Sequence, residues 1–314
     1  MAEETHHIHD KLTQQVLGQP ESAASLLQRY LPETVSQTLD WTSLQRLNRS
    51  FVDEHWRESE ADFVYEVRRL ADSEPVWIYI LIEHQATPDK WLRFRLLRYC
   101  CRLWELNLTQ QPEASELRPI VPLVFYQGRS RWTYSTEFAE LFAESVQDWS
   151  GVPRFSHQLV DQSAMQPSEI EGELKVRVMQ LVMMAAYHPE RPWIERAGEL
   201  LRTLHALEPS GGINYFYLFI DYILRTQEPE AIDAFGEVLR RNAPTAGDDL
   251  MSYAQQLEER GKALGEELGR IKAQIEMIEN LLRLGEDWSR IEAISGVSES
   301  EFDALKQRLD ELSA

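Results

Sequence analysis

Asp62-Phe-Val-Tyr-Glu-Val67 and Ile78-Tyr-Ile-Leu-Ile-Glu-His-Gln85 are the segments that decide the fold of this chain. They predict two β-strands joined by the polar turn at residues 68–75. Successive side chains of a strand point to opposite faces of the sheet. The isoleucines of the second strand therefore share one face, while Glu83 and Gln85 share the other.

The turn sets the pairing of the two predicted strands. A hairpin centred near Ala71 places Asp62 roughly opposite Leu81, on the face of Glu83 and Gln85. Two carboxylates and one amide then meet at the end of an apolar sheet. Mg²⁺ prefers oxygen ligands of this kind, so we predict that Asp62 and Glu83 bind a metal ion. Isolated acids on strands are more often solvated edge residues, which is the competing interpretation.

Phosphodiester hydrolysis is the chemistry that such a site allows. It needs a metal to neutralise charge on the phosphate, an activated water and a group that orients the water. Gln85 can orient the water by hydrogen bonding, but its amide does not titrate near neutrality and cannot act as the base. On the following helix Arg95, Arg98 and Arg102 can contact phosphate oxygens, although a basic helix face is often merely solvated.

Composition sets limits on the class of protein. The chain has 314 residues, 43% of them hydrophobic, and carries a formal net charge of −20. A non-specific DNA coat protein is therefore not expected, but a locally basic surface could still bind DNA. We expect a cytoplasmic protein, since no apolar run is long enough for a membrane span and no signal peptide begins the sequence.

The order of predicted elements indicates an α/β fold. We expect a helical start at residues 8–31, a helical or irregular stretch up to residue 50, the hairpin, and a helix at residues 89–108. Buried strands at 118–126 and 157–161 and a mostly helical region at 171–241 follow. The helix at 89–108 is expected to bury an apolar stripe, which consists of Trp91, Phe94, Leu97, Cys101, Trp104 and Leu108.

The C-terminal part is predicted to be helical. Residues 242–249 are the linker candidate, and residues 250–284 predict one long helix. In that helix Gly261, Gly265 and Gly269 recur every four residues, a spacing that would let two copies of the helix approach closely in a homodimer. Residues 278–309 predict a helix-turn-helix arrangement.

Other polar clusters are weaker candidates. Asp10 could approach the metal from the first helix, although a helix cap is the more common role of such a residue. The histidines at residues 6–9 form no metal-binding signature, and Cys100 and Cys101 are better interpreted as packing residues.

The chain resembles a known family at several motifs that occur in the same order. They are His9-Asp10-Lys11, Tyr30-Leu31-Pro32, Ser50-Phe51-Val52-Asp53, Glu60-Ala61-Asp62-Phe63-Val64, residues 79–85, Phe94-Arg95-Leu96-Leu97-Arg98-Tyr99 and residues 119–128. This pattern, over roughly residues 8–200, is similar to the Rpn recombination-promoting nucleases, also described as transposase-like, of the PD-(D/E)XK superfamily.

The resemblance implies a restriction-endonuclease-like fold with a mixed sheet core, flanking helices and a helical C-terminal region. It implies a Mg²⁺-dependent DNA endonuclease, with Mn²⁺ able to substitute, in which Asp62 and Glu83 are metal ligands and catalytic residues. Gln85 stands where the superfamily usually has lysine. The expected divisions are a nuclease domain at 1–205, a helical extension at 206–245 and a C-terminal element at 246–314.

Three functions stay open at this point. The first is a Mg²⁺-dependent endonuclease linked to DNA recombination or mobile elements. The second is a catalytically weak or inactive protein of the same fold that regulates by binding DNA or protein, which the acidic charge and Gln85 favour. The third is a recombination factor that binds DNA through its C-terminal helices, whose acidic character instead favours oligomerisation.

Overall fold

The computed structural model describes residues 2–47, 63–83, 87–207 and 214–313. Its elements are, in chain order, α1 (Ala2–Leu17), α2 (Pro20–Tyr30), α3 (Glu33–Ser36), β1 (Leu39–Arg46), β2 (Phe63–Arg69), β3 (Pro75–Glu83), α4 (Leu92–Gln110), β4 (Ile120–Tyr126), β5 (Gln158–Asp161), α5 (Leu174–Tyr187), α6 (Ile194–Leu207), α7 (Tyr215–Thr226), α8 (Pro229–Asn242), α9 (Pro244–Arg283), α10 (Trp288–Ser295) and α11 (Glu299–Ser313). The predicted fold class is confirmed, since a mixed sheet with flanking helices precedes a helical C-terminal region.

The described strands form one sheet in the order β1-β2-β3-β4-β5. The first three strands pair antiparallel, whereas β3, β4 and β5 pair parallel. A tight turn returns the chain antiparallel, while the crossover through α4 returns it parallel. In the hairpin Phe63 pairs with Ile80. The sequence predicted Asp62 opposite Leu81, and the pair formed by the next residue has the same register.

The prediction of a helical or irregular stretch before the hairpin is confirmed by α3 but is wrong for residues 39–46, which form β1. The pairing of β1 with β2 is interrupted between Asp40 and Gln45. Within the interruption the Asp40 carboxylate accepts a hydrogen bond from the backbone N–H of Thr42, and the hydroxyl of Ser43 accepts one from that of Arg68. Such a bulge removes the alternation by which a strand is recognised in sequence.

The two faces of the sheet are covered by different helices. On one face Tyr65 donates a hydrogen bond from its hydroxyl to the carbonyl of Leu17 in α1, while α2 packs on β1 and α5 packs on α1 and α2. On the other face α4 covers a cluster of buried side chains. That cluster includes Val64, Trp77, Tyr79, Leu81, Leu92, Leu96, Tyr99, Leu103, Val124 and Tyr126.

The buried face of α4 differs from the predicted apolar stripe, which is therefore wrong. Trp91 and Phe94 are 56% and 54% exposed, whereas Leu92, Leu96 and Leu103 are buried. Apolar residues occur at helical spacing on two neighbouring faces of α4, so periodicity alone does not select between them. The sheet is covered by the leucine face, while Trp91 and Phe94 stay in solvent.

The helical stretch predicted at residues 171–241 is confirmed by α5 to α8. Helix α5 is buried nearly all round, and its Met183 and Met184 are core residues, as their sequence context predicts. No helix of the described ranges has the length and apolar character that crossing a bilayer requires.

By internal contacts the chain divides into two units, Met1–Gly247 and Asp248–Ala314. The second unit confirms both the long helix and the helix-turn-helix arrangement. Its own core contains Ile271, Ile275, Ile278, Ile291, Val297 and Phe302. Helix α10 is capped at its C-terminus by Gly296, whose φ of 69° lies in the left-handed region where glycine carries no steric penalty. The functional divisions at residues 205 and 245 stay predictions.

Candidate functional site

The carboxyl ends of the parallel strands meet at one edge of the sheet. Glu83 is the last residue of β3, and its backbone is opposite Tyr126, the last residue of β4. Tyr126 is in turn opposite Asp161, the last residue of β5. Glu83, Tyr126 and Asp161 therefore form one row across this edge, which we call the carboxyl edge.

Two of the predicted catalytic residues, Asp62 and Gln85, lie outside the described residues, and Glu83 is described by its backbone position alone. Their roles therefore stay predictions. The structure describes the carboxyl edge, where Glu83 ends β3, and the helix and loop beside this edge.

Asp161 is a residue of this edge that the sequence did not single out. One of its oxygens accepts a hydrogen bond from the backbone N–H of Trp132 at 3.0 Å. The other accepts from the backbone N–H and the hydroxyl of Ser163, at 3.0 and 2.5 Å. Because three donors already engage its carboxylate, Asp161 holds neighbouring loops in place and is a poor candidate for a metal ligand.

A buried histidine and a buried arginine lie between α4 and the loop after β4. Arg93 is 3% exposed and donates a hydrogen bond to the carbonyl of Glu137 at 2.8 Å. His157 is 2% exposed and meets the ring of Trp132 edge-on. Burial, and then the positive charge of Arg93, lower the pKa of His157 to about 4. His157 is therefore neutral at pH 7.

The three predicted phosphate-binding arginines lie on α4, but in different environments. Arg95 is half-buried and forms an ion pair with Asp89 at 3.3 Å. Arg98 is exposed beside the ring of Tyr99, with its guanidinium carbon 5.5 Å from the ring centroid. Arg102 is partly exposed. Among these three, Arg98 is the most accessible to a ligand in solution.

Charge is segregated around the carboxyl edge. No acidic residue occurs between Asp89 and Glu105, a segment that contains Lys90 and four arginines. No acidic residue occurs between Glu116 and Glu137 either. These two segments carry α4 and the loop after β4, so the net charge of −20 conceals a basic region beside the edge.

Asp10 and His9 belong to the opposite side of the sheet. Both are buried in α1, the helix whose Leu17 contacts Tyr65. His9 lies 2.5 Å from the hydroxyl of Tyr222 and stacks on Tyr187. His9 is therefore a core residue between helices, and the supporting metal role of Asp10 stays a prediction.

Buried glutamines form a chain that the sequence did not reveal. Gln127, directly after β4, donates to Gln162 at 2.8 Å, which donates to Gln180 of α5 at 2.9 Å. Gln180 also accepts from the hydroxyl of Tyr30. Burial of a polar amide in a core costs free energy unless it is hydrogen-bonded, so this chain fixes the strand ends relative to α2 and α5.

The side chains that could bind a metal ion are identified by the chemistry of their donor atoms. The described ranges contain no cluster of three or more histidine, cysteine or acidic side chains that would hold an ion. Carboxylates such as those of Asp62 and Glu83 are suitable donors for Mg²⁺. The residue types therefore fit the ion, and its binding stays a prediction.

Comparison with known proteins identifies the family. The family model described as "Putative transposase, YhgA-like" matches residues 7–210. The chain belongs to this family. The matched region includes the whole sheet, α4 and the carboxyl edge, so the family resemblance covers the elements around the candidate site.

Curated relatives of the chain extend over most of its length. Recombination-promoting nuclease RpnA of Escherichia coli K12 is 27% identical over 95% of this chain and 97% of its own. Recombination-promoting nuclease RpnC of the same strain is 26% identical over 81% of each chain. The inactive recombination-promoting nuclease-like protein RpnE is 23% identical over 88% of this chain and 90% of its own. No solved structure matches the chain.

Proposed function

We propose that this protein is a Mg²⁺-dependent DNA endonuclease that hydrolyses phosphodiester bonds during DNA recombination or the movement of mobile elements. One observation carries the proposal. Glu83 ends its strand at the carboxyl edge of the sheet, beside two segments that carry arginine without any acidic residue. An acidic protein that binds DNA needs such a local concentration of positive charge.

The proposed roles of the residues follow from their chemistry. Asp62 and Glu83 would hold the metal, which when bound supplies charge neutralisation and a water of lowered pKa. Gln85 would orient the attacking water through its amide. Arg98, with Arg95 and Arg102 on the same helix, would contact phosphate oxygens.

Family membership supports this proposal at a coarser level. RpnA and RpnC are named nucleases, and both cover most of the chain. RpnE, of comparable coverage, is named inactive. Because the relatives include named nucleases and a protein named inactive, an experiment must decide whether this chain cuts DNA.

Plasmid cleavage tests the proposal. The parent protein is incubated with supercoiled DNA in Mg²⁺, Mn²⁺ or Ca²⁺ and compared with Asp62→Ala and Glu83→Ala. We expect nicking or cleavage by the parent in Mg²⁺ and Mn²⁺, and a loss of about 100-fold or more in either variant, because several kcal/mol of charge stabilisation disappear. Glu237→Ala removes an exposed carboxylate of α8 and serves as the matched control.

A thermal melt of each variant shows whether it is folded. If folded Asp62→Ala and Glu83→Ala both cut at the rate of the parent, the proposed site is wrong. If the parent neither cuts DNA nor binds Mg²⁺ or Mn²⁺ in a calorimetric titration, the second candidate applies. That candidate is an inactive protein that regulates by binding DNA or protein, which the glutamine at position 85 and the relative RpnE favour.

A further inference from the structure

The loop at residues 127–137 has no regular secondary structure over its first ten residues, yet its backbone is held at several points. The ring of His188 donates from Nε2 to the carbonyl of Gly128 at 3.0 Å. The hydroxyl of Tyr126 donates to the carbonyl of Ser130 at 2.8 Å. Asp161 binds the N–H of Trp132, and Arg93 binds the carbonyl of Glu137. These bonds come from β4, β5, α4 and the residue after α5, so the loop has a fixed conformation.

The fixed loop presents two arginines to solvent. Arg129 and Arg131 are exposed, and neither forms an ion pair within 4.0 Å with any residue that the structure describes. Glu190 and Glu228 line a cavity of about 450 Å³ together with Arg129. Arg131 does not line that cavity, so these two carboxylates are neighbours of Arg129 rather than of Arg131.

The position of the loop connects these arginines to the carboxyl edge. Tyr126 is opposite Glu83 in the sheet, and its hydroxyl reaches the carbonyl of Ser130. Ser130 therefore lies within the length of one tyrosine side chain from the strand end. Arg129 and Arg131 are its immediate neighbours in the chain, so the backbone of both lies near the carboxyl edge, where Glu83 ends β3.

We propose that Arg129 and Arg131 bind the DNA backbone and position the strand for cleavage at the carboxyl edge. This inference rests on the proposed function and extends it to residues beyond α4. Guanidinium groups pair with phosphate oxygens through two parallel hydrogen bonds. A preorganised loop holds them ready, because little conformational entropy is then lost when DNA binds. Arg131 makes the larger contribution, since Glu190 and Glu228 share a cavity with Arg129 and not with Arg131.

The test measures DNA affinity as a function of salt concentration. A duplex is titrated with the full-length protein in Ca²⁺ by fluorescence anisotropy, for the parent, Arg129→Ala, Arg131→Ala and Arg131→Lys. The matched control is Arg202→Ala, which removes an exposed arginine of α6 that has no ion pair within 4.0 Å among the described residues.

Loss of one phosphate contact lowers the slope of log affinity against log salt by about 0.9. We expect this decrease for Arg131→Ala, with about three- to tenfold weaker binding at low salt. The decrease should be smaller for Arg129→Ala, and Arg131→Lys should restore the slope because it keeps the charge. Arg202→Ala should bind like the parent. A general loss of folding would not change the slope selectively.

The outcomes separate this inference from the proposed function. If slopes for Arg129→Ala and Arg131→Ala equal that of the parent, or change no more than that of Arg202→Ala, the inference is overturned even where the parent cuts DNA. If the slopes fall but the parent does not cut in Mg²⁺, the arginines bind DNA and the nuclease proposal fails. If the parent does not bind the duplex at all, both are overturned.

Discussion

Helices α4 and α9 are both long and both rich in charged residues, but they use their surfaces differently. Helix α4 buries one face against the sheet, and the segment from Lys90 to Trp104, which includes most of α4, contains five basic and no acidic residues. Helix α9 buries isoleucines near its C-terminal end and belongs mostly to the unit Asp248–Ala314, which has sixteen acidic and eight basic residues. The comparison shows that the net charge of the whole chain, −20, does not describe how charge is distributed between these two regions. DNA binding is expected of the first region and not of the second.

The largest expected difference between the two helices is in packing. Leu96→Ala in α4 should lower the free energy of unfolding by about 2–5 kcal/mol, because Leu96 is fully buried against the sheet and its removal leaves a cavity. Leu264→Ala in α9 should cost less than about 1 kcal/mol, because Leu264 is 41% exposed. Urea denaturation measures both.

Phe94→Ala provides an internal control on α4 itself. Phe94 belongs to the apolar stripe that the sequence predicted to be buried, yet it is exposed. We expect a cost below about 1 kcal/mol. A cost equal to that of Leu96→Ala would mean that the predicted stripe is the buried one after all.

Sensitivity to pH should also distinguish the two regions, because the unit that begins at Asp248 contains no histidine. His157 titrates near 6.5 when unfolded but has a pKa of about 4 in the fold, so the unfolded state binds more protons between these values. Its contribution to stability is complete above pH 6.5 and is lost as the pH falls toward 4. Between pH 7 and 4.5 the loss is about 2–3 kcal/mol.

His157→Gln, which stays neutral, should remove this part of the pH dependence. Urea denaturation of the parent and the variant at pH 7, 5.5 and 4.5 measures the difference. If both lose the same stability on acidification, carboxylates elsewhere account for the whole effect and His157 accounts for none of it.

The charge difference itself can be tested by reversing one arginine on each helix. Arg98→Glu should weaken binding of duplex DNA about five- to tenfold, because it replaces an attraction to phosphate by a repulsion. Arg270→Glu makes the same change on the exposed surface of α9 and should leave the affinity near that of the parent. If both substitutions weaken DNA binding equally, the net charge of the protein controls the affinity and the location of the arginine does not.

The smallest expected effect concerns the glycines of α9. A Cβ at Gly265 would meet no atom within 4 Å, so Gly265→Ala should stabilise the helix by roughly 0.5–1 kcal/mol. Gly296→Ala should destabilise the same unit, because Gly296 has positive φ. If Gly265→Ala instead lowers the self-association measured by sedimentation, the predicted homodimer through this helix gains support.

The sequence predicted the hairpin, its register, the helix that follows it and the buried strand β4, because alternation and apolar runs are strong in β2, β3 and β4. It did not predict β1, whose bulge interrupts alternation, or the buried face of α4, where two apolar stripes compete. The sequence predicted less of the candidate site than of the fold. Asp161 and Arg93 act through contacts with Trp132 and Glu137, partners that are distant along the chain and follow from the folded structure alone.

The bulge in β1 has a consequence for the cell as well as for the fold. Strand β1 is an outer strand of the sheet that the structure describes, and outer strands of a newly made protein can pair with those of other molecules. Between Asp40 and Gln45 the regular ladder is broken, and side-chain hydrogen bonds take its place. A bulge bends and twists an outer strand, so we expect β1 to pair poorly with a strand of another molecule.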